Sequence, residues 1–211
     1  MVKIFLIRHG ETDWNREQIF RGRIDVSLNE VGLAQARAVK VWLKDEKVDA
    51  LYSSPLSRAL ETARIVGEGR NCEVKAEEGL IDVNFGKWQG LSHKEVKEQY
   101  REMYHTWQTK PYLVTFPEGE SLKDVKARVM GALEKIIKNH PKETIAMVSH
   151  RVVCKVAICA ILGLDLSRFW YIKQDTCAIN MFEHRDGNYY FSLLNDTCHL
   201  RRVEGASPLD F

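Results

Sequence analysis

Two histidines and two arginines stand where buried chain gives way to polar residues. Arg8 and His9 directly follow one short apolar run, and Ser149 and His150 follow another. A third run leads into Ser53-Ser54-Pro55-Leu56-Ser57-Arg58, which sets Arg58 in the first turn of a helix, where anions bind. Imidazoles exchange protons and attack electrophiles near neutral pH, and guanidiniums grip oxyanions through paired N–H donors. Several cationic groups brought to one place are unfavourable unless an anion lies between them. A phosphate-sized dianion meets that requirement.

Other chemistries fit less well. The histidines show no HExxH spacing, the cysteines form no CxxC pair, and a divalent cation between Arg8 and Arg58 would be repelled, so no metal site is expected. A GxSxG nucleophile elbow, a Walker A loop and a dinucleotide fingerprint are all missing from the sequence, and no cofactor is expected.

The elements that must position these residues follow from hydrophobic periodicity. Residues 2–7, 50–53 and 144–149 are short, continuously apolar runs, the pattern of parallel strands buried on both faces. Apolar positions recur every three or four residues over 30–43, with Asn29 as the N-cap, and again over 56–66, 121–138 and 152–162. Pro55 falls where the first turn of the second of these helices begins. Residues 92–107 read as one polar, aromatic-tipped helix, and 177–182 and 189–194 flank Asp186-Gly187, a hairpin signal. The pattern predicts an α/β fold, a three-layer αβα sandwich around a mostly parallel sheet with an antiparallel strand near its edge. We expect a single domain over 1–211, with a small helical insertion over the active site at about 91–119. Ligands of such sheets bind beyond the carboxyl ends of the strands, where Arg8, His9, Arg58 and His150 fall.

Composition agrees with an ordinary globular chain. The 211 residues are 45% hydrophobic and 28% charged, and 31 basic against 29 acidic residues leave a net charge of +2. Basic residues are interspersed with acidic ones, so nucleic acid is a poor partner. The apolar stretch before Arg8 is too short for a signal sequence or a membrane span, so no membrane association and a cytoplasmic location are expected. Five cysteines, an odd number, read as reduced and mostly buried thiols. The apolar 152–162 helix and Phe169-Trp170-Tyr171 leave room for a homodimer without requiring one.

The run Leu6-Ile7-Arg8-His9-Gly10-Glu11-Thr12-Asp13-Trp14-Asn15 resembles the signature of the histidine phosphatase superfamily, which includes cofactor-dependent phosphoglycerate mutase. Further matching pieces follow in the family's order: 22–28, 53–63, 85–90, 117–121 and Val148-Ser149-His150. The resemblance implies that His9 is the nucleophile that accepts a phosphoryl group. It implies a phosphate pocket of Arg8, Arg58 and His150, a further phosphate contact from Asn15, and a second motif around Gly22. Like-charge repulsion from Arg8 and Arg58 would keep an imidazole neutral and able to attack.

Departures from the family pattern narrow this reading. The glutamate that the family places two residues after a leucine is here Asp82, shorter by about 1.5 Å. A misplacement of about 1 Å can cost roughly a hundredfold in rate, so either the backbone moves closer or another acid such as Glu11 assists. Arg21 precedes Gly22 and Arg151 follows His150, which makes the rim basic and favours an acidic substrate. Asn84-Phe85-Gly86 and the short insertion are similar to the phosphatase branch. The expected activity is metal-independent hydrolysis of a small phosphorylated metabolite, with phosphoserine preferred and α-ribazole phosphate as an alternative. A phosphoglycerate mutase and a non-catalytic phospho-ligand binding protein are the competing readings. The aromatic residues of the insertion, Tyr100, Tyr104, Trp107, Tyr112 and Phe116, either cover the substrate or belong to the core. The tail, 201–211, either folds over the pocket or frays.

Overall fold

In the computed structural model, which describes residues 1–206, the first apolar run forms β1 (Val2–Arg8) at the interior of a six-stranded sheet. The remaining strands are β2 (Ala50–Ser53), β3 (Val74–Ala76), β4 (Thr144–Ser149), β5 (Ile179–Arg185) and β6 (Asn188–Asp196). Their order is β3-β2-β4-β1-β5-β6. β1, β2, β3 and β4 run parallel to their neighbours in that group, and β5 is antiparallel to both β1 and β6. The antiparallel strand is therefore next to the edge, joined to β6 by the Asp186-Gly187 turn.

Strict alternation along β1 and β4 buries both faces. Ile4, Leu6, Ile145 and Met147 enter one apolar cluster, while Phe5, Ile7, Ala146 and Val148 enter the other. The helices are α1 (Asp13–Arg16), α2 (Glu30–Trp42), α3 (Ser57–Gly67), α4 (His93–Gln99), α5 (Arg101–Thr109), α6 (Leu122–Asn139) and α7 (Arg151–Ile161). α2 and α3 cover the Phe5 face through Ala36, Val39, Ala59 and Ala63; α6 and α7 cover the Ile4 face through Val125, Val129, Val153 and Ala157. These are the three layers. Among the described residues no helix is long and apolar enough to cross a membrane.

Helix starts follow local chemistry. Asn29 accepts from Gly32 N at 2.8 Å, and Ser121 opens α6 with a reciprocal capping box to Asp124. α3 starts at Ser57, two residues beyond Pro55, because the cap comes from elsewhere in the chain: Asp25 Oδ1 accepts from Ser57 N and Ser57 Oγ, both at 2.8 Å. Residues 92–107 are not one helix. Tyr100 takes a non-helical φ of −129° against Trp88, with ring centroids 6.0 Å apart, and divides the segment into α4 and α5. Tertiary packing overrides the helical periodicity there.

The aromatic side chains of the insertion belong to the core. Tyr104, Trp107 and Phe116 are buried in the same cluster as Ile4 and Leu6, with Tyr100 and Tyr112 packed on its border. The five cysteines are free thiols; Cys154, Cys159 and Cys177 are buried and Cys198 is exposed. Of the tail, Cys198–Arg202 forms a 3-10 turn beside α2 and Gly205 O accepts from Arg16; residues 207–211 lie outside the described residues.

Candidate active site

The carboxyl ends of β1 and β4 are in register, with Arg8 opposite Ser149, and His9 N donates to Ser149 O at 2.9 Å. The two strands thus deliver His9 and His150 side by side, and their rings lie 5.1 Å apart. β2 ends next to β4, and Ser54, just past it, meets Nε2 of His150 at 2.7 Å. From the start of α3, Arg58 enters the same space.

All of these groups are buried, and each is held from outside. Arg8 Nη1 donates to Gln174 O at 2.6 Å. Arg58 donates to Gly22 O at 2.7 Å, to Ile24 O at 3.0 Å and to Asp82 Oδ2 at 3.1 Å. Gly22 is needed for this contact. Its φ is +52°, and a Cβ there would lie 2.2 Å from Gln89 Oε1. Thr62 joins the two halves, donating to Arg58 O and accepting from Gly10 N.

The protonation of His9 follows from its neighbours. Its Nδ1 lies 2.6 Å from Gly10 O, a group that can only accept, so Nδ1 carries the proton. Nε2 then holds the lone pair, and it has no hydrogen-bond partner among the described residues. Burial first, then the charges of Arg58, Arg8 and Arg21, keep this imidazole well below the usual histidine range. The repulsion expected from Arg8 and Arg58 is present, but desolvation is the larger cause. His150 is lowered in the same way, by burial and then by Arg58.

Asp82 and Glu11, the two candidate acids, are separated by their contacts. The Asp82 carboxylate touches Arg58 and comes within 3.5 Å of His150 Nδ1. Glu11 is fully buried, with Oε1 accepting from Arg16 Nε at 2.5 Å and Asn29 Nδ2 at 2.9 Å, so it braces the 11–29 segment. Asn15 is buried in α1, where its Oδ1 accepts from Thr12 N and Thr12 Oγ1.

Arg21 and Arg151 are both buried, not solvated rim cations. With Gly22, Asp82 and Phe85 they line a narrow cavity. Arg21 Nε and Nη1 have no partner among the described residues, and Arg151 lies 5.7 Å over the Trp170 ring. A larger cavity, about 660 Å³, opens between the C-termini of α2 and α3 at the opposite end of the sheet. It holds none of these groups, and Lys40 and Lys47 along it are paired with Glu68 and Asp49.

Sequence reasoning missed several supporting residues. Ser54 was within a recognised motif, so its contact with His150 was within reach. Gln174 and Asn180, which bond each other while holding Arg8 and Leu6 O, stand in no pattern that marks them.

His9, whose Nε2 has no hydrogen-bond partner among the described residues, thus lies among the buried cations Arg8, Arg58 and Arg21. Residues 4–197 match the family model of the histidine phosphatase superfamily, branch 1. The chain belongs to this superfamily. Within it, the chain is 39% identical over 200 residues to phosphoserine phosphatase 1 of Hydrogenobacter thermophilus, covering 95% of each chain. It is 34% identical to a metal-independent phosphoserine phosphatase of Arabidopsis thaliana, over 96% of this chain and 85% of that one. Among solved structures, Bacillus stearothermophilus YhfR superposes with a TM-score of 0.92 at 30% identity, over 95% of this chain and all of that one. This histidine phosphatase is a phosphomonoesterase, on the hydrolase rather than the mutase side of the superfamily.

Proposed function

We propose that the enzyme hydrolyses phosphoserine, or a small phosphomonoester like it, through a phosphohistidine on His9. The carrying observation is the unpaired lone pair of the buried His9 Nε2, fixed by the Nδ1 contact with Gly10 and surrounded by buried arginines. In the first step Nε2 attacks phosphorus and the ester P–O bond breaks. Asp82, as the acid, passes a proton brought in on the substrate's phosphate to the leaving alkoxide. In the second, water attacks the phosphohistidine, Asp82 takes a proton from it, and the P–N bond breaks to release orthophosphate and restore the lone pair.

Arg8, Arg58 and His150 hold the phosphoryl oxygens, and Asn15 adds a contact from α1. The positive charge that stabilises the transition state comes from guanidiniums, in keeping with hydrolysis that needs no metal. Arg21, with Arg151 beside it above Gly22, meets the part of the substrate beyond phosphorus; a carboxylate there suits a buried guanidinium with two N–H groups to satisfy. Phosphoserine carries such a carboxylate, which favours it over α-ribazole phosphate. The similarity to two phosphoserine phosphatases supports the same choice.

The test is phosphate release from phosphoserine, phosphoglycerates, α-ribazole phosphate and p-nitrophenyl phosphate, with a chelator present and His9→Ala as control. Release that survives chelation, ranks phosphoserine first and vanishes in His9→Ala is expected. Release retained by His9→Ala would overturn the phosphohistidine route, and a different leading substrate would overturn the choice of phosphoserine.

A further inference from the structure

The Asp82 backbone is clamped by a side chain far from it in sequence. Arg128, on α6, donates from Nη1 to Gly79 O at 3.0 Å and Ile81 O at 2.6 Å, and from Nη2 to Asp82 O at 3.1 Å. The remaining carbonyl of this stretch, Leu80 O, accepts from Ser149 Oγ at 2.7 Å, next to His150. Four successive carbonyls are thus held by Arg128 and Ser149, with a longer 3.4 Å contact from Arg23 Nε to Asp82 O. Gly79 permits the approach, since a Cβ there would lie 2.4 Å from Ala132 Cβ and 2.9 Å from Arg128 O.

Arg128 is itself fixed. Glu120 accepts from its Nε at 2.9 Å and from its Nη2 at 3.2 Å, a forked pair, and also from Asn84 N at 2.9 Å. Burial works to raise the Glu120 carboxyl, but Arg128 and the Asn84 N–H outweigh it and hold it below the usual range, so the fork stays charged. Arg23 adds a 3.1 Å ion pair to the same carboxylate. Both ends of the segment that carries Asp82 are therefore tied to one ion pair.

Asp82 has only one methylene with which to reach Arg58 and His150. The geometry points to Arg128, held by Glu120, as the positioning residue that brings the short Asp82 side chain into proton-transfer range of the leaving oxygen. This inference rests on Asp82 being the acid. Arg128 touches no reacting atom; its effect passes through the backbone.

A leaving group's own acidity separates positioning from general damage. The alcohol released from phosphoserine must be protonated as it departs, whereas p-nitrophenolate leaves almost unaided, so misplacing the acid harms only the first. Values of kcat/KM, which report transfer to His9, are compared for both substrates in Arg128→Met, Arg128→Lys, Glu120→Gln and Asp82→Asn, with thermal unfolding measured for each. Arg128→Met is expected to lose about 30- to 100-fold on phosphoserine and under about threefold on p-nitrophenyl phosphate. KM should stay within about twofold, with Arg128→Lys and Glu120→Gln falling between it and the parent. Equal losses on both substrates, or none, in the folded variants while Asp82→Asn remains selective would overturn the positioning role alone. Asp82→Asn losing activity equally on both would overturn the acid assignment and the inference with it. Should Arg128→Met not fold, the milder Glu120→Gln decides by the same ratio.

Discussion

Arg58 Nη2 lies 3.1 Å from Asp82 Oδ2, a buried ion pair beside His150, where the proposed mechanism seats the phosphoryl group. Asp82 therefore competes with the anion for the same guanidinium. Asp82→Asn removes the competing charge without changing side-chain size. At close range in a partly dry site one charge is worth several kcal/mol, so orthophosphate should bind at least about tenfold more tightly to Asp82→Asn while turnover falls. Calorimetric titration with orthophosphate measures the first effect and phosphoserine turnover the second.

Acid sensitivity follows from the two histidines. Burial and the neighbouring arginines keep both His9 and His150 well below their unfolded value of 6.5. As pH falls below about 6.5, the unfolded chain takes up protons that the folded chain refuses. Stability should be flat above about pH 7.5. Below about 6.5 it should fall, by up to about 1.4 kcal/mol per pH unit for each histidine. Urea unfolding of the parent and of His150→Asn across pH 7.5 to 5.5 reads the slope, which should be shallower in the variant.

Glu11→Gln should cost stability rather than chemistry. Its fully buried Oε1 holds both Arg16 and Asn29, the residue that caps α2. Loss of these charge-assisted bonds is expected to destabilise by about 1.5 to 3 kcal/mol, with kcat on phosphoserine within about threefold of the parent. A thermal melt beside a rate measurement checks it, and a large rate loss in a fully folded variant would assign Glu11 a direct part.

Substrate selectivity should reside in Arg21. Arg21→Gln keeps polarity and loses the charge. KM for phosphoserine should rise about tenfold or more, and that for phosphoethanolamine, which lacks the carboxylate, should not rise. Removing this cation should also raise the His9 pKa, moving the acidic limb of activity to higher pH.

Much of this arrangement was legible in the sequence, for identifiable reasons. Continuous apolar runs mark strands buried on both faces, so the ends of β1, β2 and β4 and the residues beyond them could be read directly. Asn29 announced its helix because capping is local. Asp25 could not be recognised as the cap of α3, since it lies 32 residues from Ser57 and only the fold joins them. The break at Tyr100 is likewise a product of packing against Trp88. Arg128 reads as an ordinary surface cation on an amphipathic helix; its value depends on where the 79–82 carbonyls come to rest. Arg21 and Arg151 were visible as charges, but their burial was not.

The sheet order carries a consequence for biosynthesis. β1 is made well before its neighbours β4 and β5, which come from residues 144–149 and 179–185. At translation rates of about 5 to 20 residues per second, β1 waits roughly 7 to 28 s before its first partner is synthesised. Throughout that interval an apolar segment remains without its ladder, and His9 and His150 cannot meet. The nascent chain must therefore be made beyond His150 before His9 has its neighbour, and a chain interrupted earlier has a naked sheet-forming segment for chaperones to recognise.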